Sequence, residues 1–354
     1  MRHIPNYKVA LSPLIGGRAL LTDVGTTSRP PKWITPQLTR LVAEAPAGDG
    51  WLHEIKFDGY RMHARIEGGQ AKLLTRTGLD WSHRYSRTIG ALQTLKAKSA
   101  YIDGELCALN ADGVPVFSRL QAAMDEGRTD QLVFFGFDLL FLNGVSTAQL
   151  PLIKRKERLQ RLFRKGISGL RYSEHVAGDG PQFRAQACKL GLEGVISKQT
   201  DRPYAPGDRG IWVKSKCLNR EEFVVVGWTN PEGSRSHLGA LLLGYFTDDG
   251  RLLYAGRAGT GMTDKELKRL AGVLKPLQVP KMPLAEPPPR DSRFGSPLKL
   301  SKVHWVRPEL VVEVTYLTWT KDNLLRQVSY QGQREDKPAE QVIRPVPHLP
   351  KVRA

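Results

Sequence analysis

His53-Glu54-Ile55-Lys56-Phe57-Asp58-Gly59-Tyr60-Arg61 sets one lysine among apolar neighbours, two positions after one carboxylate and two before another. Apolar and polar residues alternate across 51–57 as in a strand, and Asp58-Gly59 reads as a tight turn into a second strand, Tyr60–Ile66. This places Lys56 where a strand opens into a pocket, not on a solvated helix face. A lysine in such a place is a nucleophile when burial or neighbouring cations lower its pKa. The same letters also suit an ordinary hairpin, and Lys-x-Asp-Gly is short enough to arise by chance. The rest of the chain decides between the two.

With 354 residues there is room for two domains, each with its own core. Lys and Arg number 53 against 35 Asp and Glu, a net charge of +18. That excess points to a polyanionic partner, nucleic acid before an anionic membrane surface. Cys107, Cys188 and Cys217 are odd in number and far apart, so neither a metal-ligand pair nor a disulfide is expected, and a reducing cytoplasm fits. No apolar run approaches ~18 residues, so no membrane span is expected. Gly16-Gly17 and Arg18 interrupt any secretory apolar core.

Residues 1–34 show no sustained periodicity and read as a partly ordered arm. Helical spacing runs from Pro36 to Ala45, and a third strand follows at Ala71–Arg76. Tyr85, Ile89, Leu92 and Leu95 share a face of a helix predicted over Ser82–Lys98. Further strands are predicted at Ala100–Leu109, Leu132–Leu142, Leu170–Glu174, Glu193–Lys198 and Trp212–Lys216, with a loop at 204–210. Helices are predicted at Phe117–Met124, Leu152–Phe163 (its Lys and Arg residues on the outer face) and Gln182–Leu190. Strands and helices alternating without regular βαβ spacing imply an α+β domain. After Asn219 short β-rich runs take over, at Phe223–Trp228, Leu238–Phe246, Leu252–Ala255 and Leu310–Trp319. One helix intervenes, Asp264–Leu274, with Thr263 as N-cap and Glu266 completing a capping box. This half suits a small β-barrel of the OB type, with Pro276–Pro289 as a long loop within it. The scattered histidines have no metal-binding spacing, and Gly256–Gly261 reads as a turn, not a nucleotide loop.

The chemistry-bearing stretches fall in a fixed order: Lys56-Phe57-Asp58-Gly59, Asp103-Gly104-Glu105, Phe137-Asp138, Glu193–Lys198, Trp212–Lys216 and Arg334-Glu335-Asp336-Lys337. The series resembles the covalent nucleotidyltransferase superfamily of ATP-dependent DNA ligases, RNA ligases and capping enzymes. Within it, GDGWLHEIKFDGYR (48–61), LLTRTGLDWSHRY (73–85), KVHWVRPELVVEV (302–314) and GQREDKPAEQV (332–342) look most like the ligase module of bacterial ligase D, the end-joining type. The resemblance runs from about Pro36 to Val342. It implies an adenylation (nucleotidyltransferase) domain over 35–219 followed by an OB-fold domain over 220–354. No sequence expected of the polymerase or phosphoesterase modules often fused to such ligases is seen, so neither activity is expected. The helical DNA-binding domain of larger ATP ligases is likewise not seen.

By this resemblance Lys56 attacks the α-phosphorus of ATP and carries AMP, while Lys214 and Lys216 stabilise the phosphate and lower the pKa of Lys56 by repulsion. Phe137 would stack on adenine, Glu54 would meet its amino group, Ile55 would belong to the nucleotide site, and Glu105 would hold the ribose. Glu193, with Glu105, would hold Mg²⁺ or Mn²⁺. Arg61 and Arg76, whose guanidinium forks suit a terminal phosphate, would bind the 5′-phosphate of a nick as well as the nucleotide. Arg334, Asp336 and Lys337 would orient the outer phosphates of ATP when the OB domain closes about a hinge near Cys217–Glu221.

The expected activity is ATP-dependent sealing of nicked or broken duplex DNA by a monomer, with a Ku-like partner left open. Two rivals remain. An RNA ligase or capping guanylyltransferase shares the core motifs but not the strings at 73–85 and 302–314. A DNA-end-binding scaffold would not need Lys56, Glu193, Lys214 and Lys216 intact.

Overall fold

The computed structural model describes residues 29–164, 166–231, 233, 235–289 and 298–344, so the expected arm over 1–34 falls almost wholly outside them. The first half comprises β1 (Gln37–Leu41), β2 (Ala47–Ile55), β3 (Tyr60–Glu67), β4 (Gln70–Thr75), α1 (Ser86–Gln93), β5 (Ser99–Cys107), α2 (Phe117–Asp125), β6 (Val133–Leu142) and β7 (Val145–Ser146). It continues with α3 (Leu152–Phe163), β8 (Leu170–Tyr172), β9 (Val176–Asp179), α4 (Gly180–Lys189), β10 (Gly194–Gln199) and β11 (Gly207–Lys216). Two sheets result, one ordered β1-β11-β10-β2-β9 and the other β4-β3-β5-β6-β7 with β8 alongside β6.

The near-continuous apolar run of β6 follows from burial on both faces. Phe134 and Leu139 pack towards Leu159 and Phe163 of α3, while Phe137, Leu140 and Phe141 meet Trp212 of the other sheet and Tyr204 in the loop before it. On the far side of that other sheet, Ala187 of α4 packs on Val195.

The second half comprises β12 (Arg220–Thr229), β13 (Leu241–Phe246), β14 (Leu252–Ala258), α5 (Asp264–Leu274), β15 (Val303–Trp305), β16 (Val311–Thr315), β17 (Thr318–Trp319), β18 (Leu325–Arg326) and β19 (Ser329–Gln333). Its sheet runs β14-β13-β12-β16-β19, and a bridge from Thr260 to Ser329 draws the two edges together into a barrel. Short strands, one helix over the core and this closure give the OB-like architecture. Residues 278–289 run along the barrel's outer face, where Leu284 is buried with Val226, Leu242 and Trp305. Among the described residues no helix is long and apolar enough to cross a membrane.

Several sequence expectations are overturned, each by a partner distant in the chain. Residues 37–41 form a strand, not a helix, because they pair in parallel with β11, and the Gln37 side chain accepts a hydrogen bond from the Ala205 amide at 2.8 Å. The same pairing turns the end of the expected 204–210 loop into strand. The helix expected over 82–98 is confined to α1. The Ser82 hydroxyl is taken by Asp80 and the Leu73 amide, so 82–84 is a 3₁₀ turn, and Thr94 donates to the Ala91 carbonyl at the other end. In α5 the Thr263 hydroxyl accepts from the Glu266 amide at 3.3 Å, but the Glu266 carboxylate turns to Arg269 and Tyr330, so only half of the capping box forms.

Two basic residues of α3 also point inward. Arg155 and Lys156 are fully buried, Arg155 forking onto Asp138 at 2.7 and 2.9 Å and Lys156 reaching Glu54 at 2.6 Å. Charges this deep persist only when paired.

Cys188 and Cys217 form a disulfide (S–S 2.07 Å), where none was expected. The turn from α4 into β10, and the antiparallel pairing of β10 with β11, bring the two residues to one end of the sheet. Spacing alone carries no trace of that return, and Cys107 stays free and buried. With the cysteines 29 positions apart, loop entropy assigns the bond roughly 3–4 kcal/mol. Cys188→Ser should therefore lower the denaturant midpoint of the oxidised protein, and reductant should erase the difference. Equal midpoints under oxidising conditions would contradict this.

Candidate active site

Strand β2 ends at Ile55, and the Lys56 amide extends its ladder by donating to the Gly194 carbonyl at 2.9 Å. Because Ile55 pairs with Val195, Glu193 lies beside Lys56, with Nζ and Oε1 2.5 Å apart. Strand β10 pairs Gly194 with Lys216 and Ile196 with Lys214, so the two lysines, on one face of β11, flank the same point. The Asp58-Gly59 turn passes beneath β5 so closely that a Cβ on residue 59 would sit 2.2 Å from the Leu106 carbonyl oxygen; only glycine fits. Glu105 pairs across from Arg61 and shares its face.

Lys56, Glu105, Glu193, Lys214 and Lys216 line a cleft that is closed on its other side by Arg220, Glu222, Glu313 and Arg334 of the barrel half. Lys56, Glu105, Glu193, Lys214, Lys216 and Arg334 are thus brought together as the sequence suggested. Arg220, Glu222 and Glu313 went unassigned there. Their only trace was charge at alternate inward positions, in Arg220-Glu221-Glu222 and in the apolar run around Glu313.

The electrostatics correct one expectation. Burial alone would lower the pKa of Lys56, but contact with Glu193, helped by Asp58 and Glu313, outweighs it and raises the value. Among the lysines lining the cleft, the one whose pKa falls is Lys214, brought down to about 8 by burial and by Lys216. At Lys214, burial and Lys216 outweigh the carboxylates Glu221 and Glu222, whereas at Lys56 the carboxylates prevail. Burial works against the Glu193 charge, yet Lys56, Lys216 and Arg220 overcome it and hold the carboxyl below its usual range. Glu105 is half-buried without a comparably close cation, and desolvation pushes it up to about 8. Among the described residues no three carboxylate, imidazole or thiolate groups converge as a metal cage. Glu193 and Glu105 do offer the cleft hard oxygen donors, a set that suits a Mg²⁺ ion sharing phosphate and water ligands.

Other predicted site residues lie outside the cleft's lining. Glu54 is buried and fully engaged, by Lys156, by Lys198 at 3.0 Å and by the Ser173 hydroxyl at 2.8 Å. Ile55 packs beside Val195. Phe137 lies under the Lys198 ammonium, 4.3 Å from its ring centre, with Trp212 edge-on. Lys156 and Lys198 were thus missed as neighbours of Glu54 and Phe137. Arg61 is forked onto Asp103 at 3.0 and 2.6 Å, and Arg76 reaches Gln341 of the barrel half at 3.1 Å. Asp336 is buried and held by Arg334, and Lys337 pairs with Glu222 at 2.9 Å.

Residues 36–216 match the family model described as ATP dependent DNA ligase domain, and 234–337 the ATP dependent DNA ligase C terminal region. A Pseudomonas aeruginosa protein named multifunctional non-homologous end joining protein LigD is 43% identical over 315 residues, 88% of this chain and 36% of that protein. The protein of that name from Mycolicibacterium smegmatis is 37% identical over 295 residues, 83% of this chain and 37% of that one. The chain thus spans little more than a third of the length of these curated relatives. The solved structure of mycobacterial DNA ligase D complexed with ATP and MES superposes with a TM-score of 0.64 at 33% identity, covering 88% of this chain and 98% of that one.

Between pH 4.5, the ordinary glutamate value, and pH 8 the folded chain binds more protons at Glu105 than the unfolded chain does. This group's contribution to stability therefore declines as pH rises across that window. Glu105→Gln should raise the thermal midpoint by a few degrees at pH 8 and by little at pH 5. An equal change at both pH values would contradict the assignment.

Proposed function

This chain belongs to the ATP-dependent DNA ligase family, and we propose that it seals nicks or joined ends in duplex DNA through an adenylate carried on Lys56. The observation that carries this reading is the convergence of Lys56, Glu193, Lys214, Lys216 and Arg334 on one cleft.

In the first step Lys56 Nζ attacks the α-phosphorus of ATP, the bond to the β-phosphate breaks, and pyrophosphate leaves. Lys214 and Lys216 stabilise the charge that builds on the α-phosphate. Glu54, Ile55 and Phe137 form the adenine side, Glu105 faces the ribose, and Arg334, Asp336 and Lys337 set the outer phosphates in line with the attack. Lys56 must shed its proton first, and its ion pair with Glu193 opposes that. A Mg²⁺ or Mn²⁺ ion held by Glu193 and Glu105 would neutralise the carboxylate that keeps Lys56 charged.

In the second step an oxygen of the DNA 5′-phosphate, held by Arg61 and Arg76, displaces Lys56 from the adenylate. In the third, the 3′-hydroxyl attacks the activated 5′-phosphorus, and AMP departs as the phosphodiester closes. The domains would divide at 219–220, with the hinge at Cys217–Glu221 freeing the DNA face between steps. The net charge of +18 supports a polyanionic substrate whose binding weakens steeply with salt. Relatives named for non-homologous end joining in bacteria support double-strand break repair as the setting; a monomer acting in the bacterial cytoplasm completes the proposal. A Ku-like end-binding protein is the partner such a setting would supply.

The test is sealing of a labelled nicked duplex with Mg²⁺ and, in parallel, ATP, GTP or NAD. ATP alone should support sealing, and Lys56→Ala should abolish it. Sealing with GTP or NAD instead, or undiminished sealing by the variant, would overturn the reading.

A further inference from the structure

Arg220, the first residue of β12, spans the two halves of the molecule. One guanidinium nitrogen donates to Asp58 Oδ2 at 2.6 Å, and another to Glu313 Oε2 at 3.0 Å. Asp58 lies two positions beyond Lys56, and its Oδ2 also accepts from the Phe117 amide at 3.0 Å. On the barrel side, Glu313 Oε2 lies 3.5 Å from Arg334, which forks onto Asp336 and rests over the Phe117 ring at 4.5 Å. Charges therefore alternate without a gap from Asp58 through Arg220, Glu313 and Arg334 to Asp336. The Arg220, Asp58 and Glu313 side chains are each at most 10% exposed, so solvent does not screen these contacts as it would at a surface.

The backbone puts Arg220 at the pivot. Lys216 donates to its carbonyl and pairs with Glu221 at 2.7 Å, so the segment is tied to the end of β11 as well. If the barrel half swung away, Arg220 would keep only one of its two carboxylates, and the other would lose its cation.

We propose that Arg220 is a positioning residue that locks the barrel half over Lys56, keeping Arg334 at the cleft for the attack on ATP, and that it is dispensable once AMP has been transferred. This rests on the ligase reading above. It assigns to Arg220 the coupling between the turn that carries the nucleophile and the arginine that meets ATP. A lysine cannot reproduce that link, since its single ammonium does not present the planar fork that reaches two carboxylates.

The experiment compares two reactions of the whole chain: adenylylation of Lys56 by labelled ATP, and sealing of a nick whose 5′-phosphate already carries AMP. Arg220→Met should slow the first by about tenfold or more and change the second by no more than about twofold. Arg220→Lys should recover only part of the first. Thermal melting identifies any variant that does not fold. If Arg220→Met fails to fold, Glu313→Gln, which cuts the same link from the barrel side, decides with the same expected split. Equal losses in both reactions, or no loss in either, would overturn the proposal. Absence of labelling in the parent protein would instead count against the ligase reading.

Discussion

The ion pair between Lys56 and Glu193, at 2.5 Å, is the contact on which the arrangement of the cleft turns. It exists because β2 and β10 lie side by side, and the same ladder carries on to β11 and its two lysines. Desolvation would make an isolated buried lysine neutral and reactive; Glu193 reverses that and keeps Lys56 charged. On the proposed reading, attack by Lys56 then requires that the Glu193 charge be offset first.

The rest of the cleft is built from opposed charges instead of apolar walls. Carboxylates and cations interleave from Glu105 to Arg334, and the buried chain through Arg220 and Glu313 ties the barrel half into that pattern. Such networks are costly when one member is lost and tolerable when all are paired. Closure is thereby a property of charge complementarity, and a polyphosphate entering the cleft would compete for the same cations. Beneath it, Glu54 with Lys156 and Lys198 forms a second, fully enclosed cluster that supports the Phe137 and Trp212 rings from behind.

Local pattern was a good guide wherever an element's partners were already implied by its own periodicity. The bounds of α3 and α5, the buried run of β6 and the strand that leads into Lys56 were readable for that reason. The cleft residues Lys56, Glu105, Glu193, Lys214 and Lys216 were readable because each lies at or near a strand end within a recognisable string. What stayed hidden depends on pairings across the chain. Residues 37–41 become strand only beside β11, Cys188 meets Cys217 only after the turn out of α4 and the reversal from β10 to β11, and Arg155 and Lys156 turn inward only because Asp138 and Glu54 await them. The pKa of Lys56 belongs to the same class: the motif cations Lys214 and Lys216 suggested a fall, whereas contact with Glu193, helped by Asp58 and Glu313, produces a rise.

The most direct measurement is peptide mapping by mass spectrometry after incubation with ATP and Mg²⁺, with and without later pyrophosphate. The account predicts a single adenylate on the peptide containing Lys56, removed by pyrophosphate and never formed on Lys214 or Lys216. An adenylate on another residue, or folded protein that carries none before or after incubation, would contradict it.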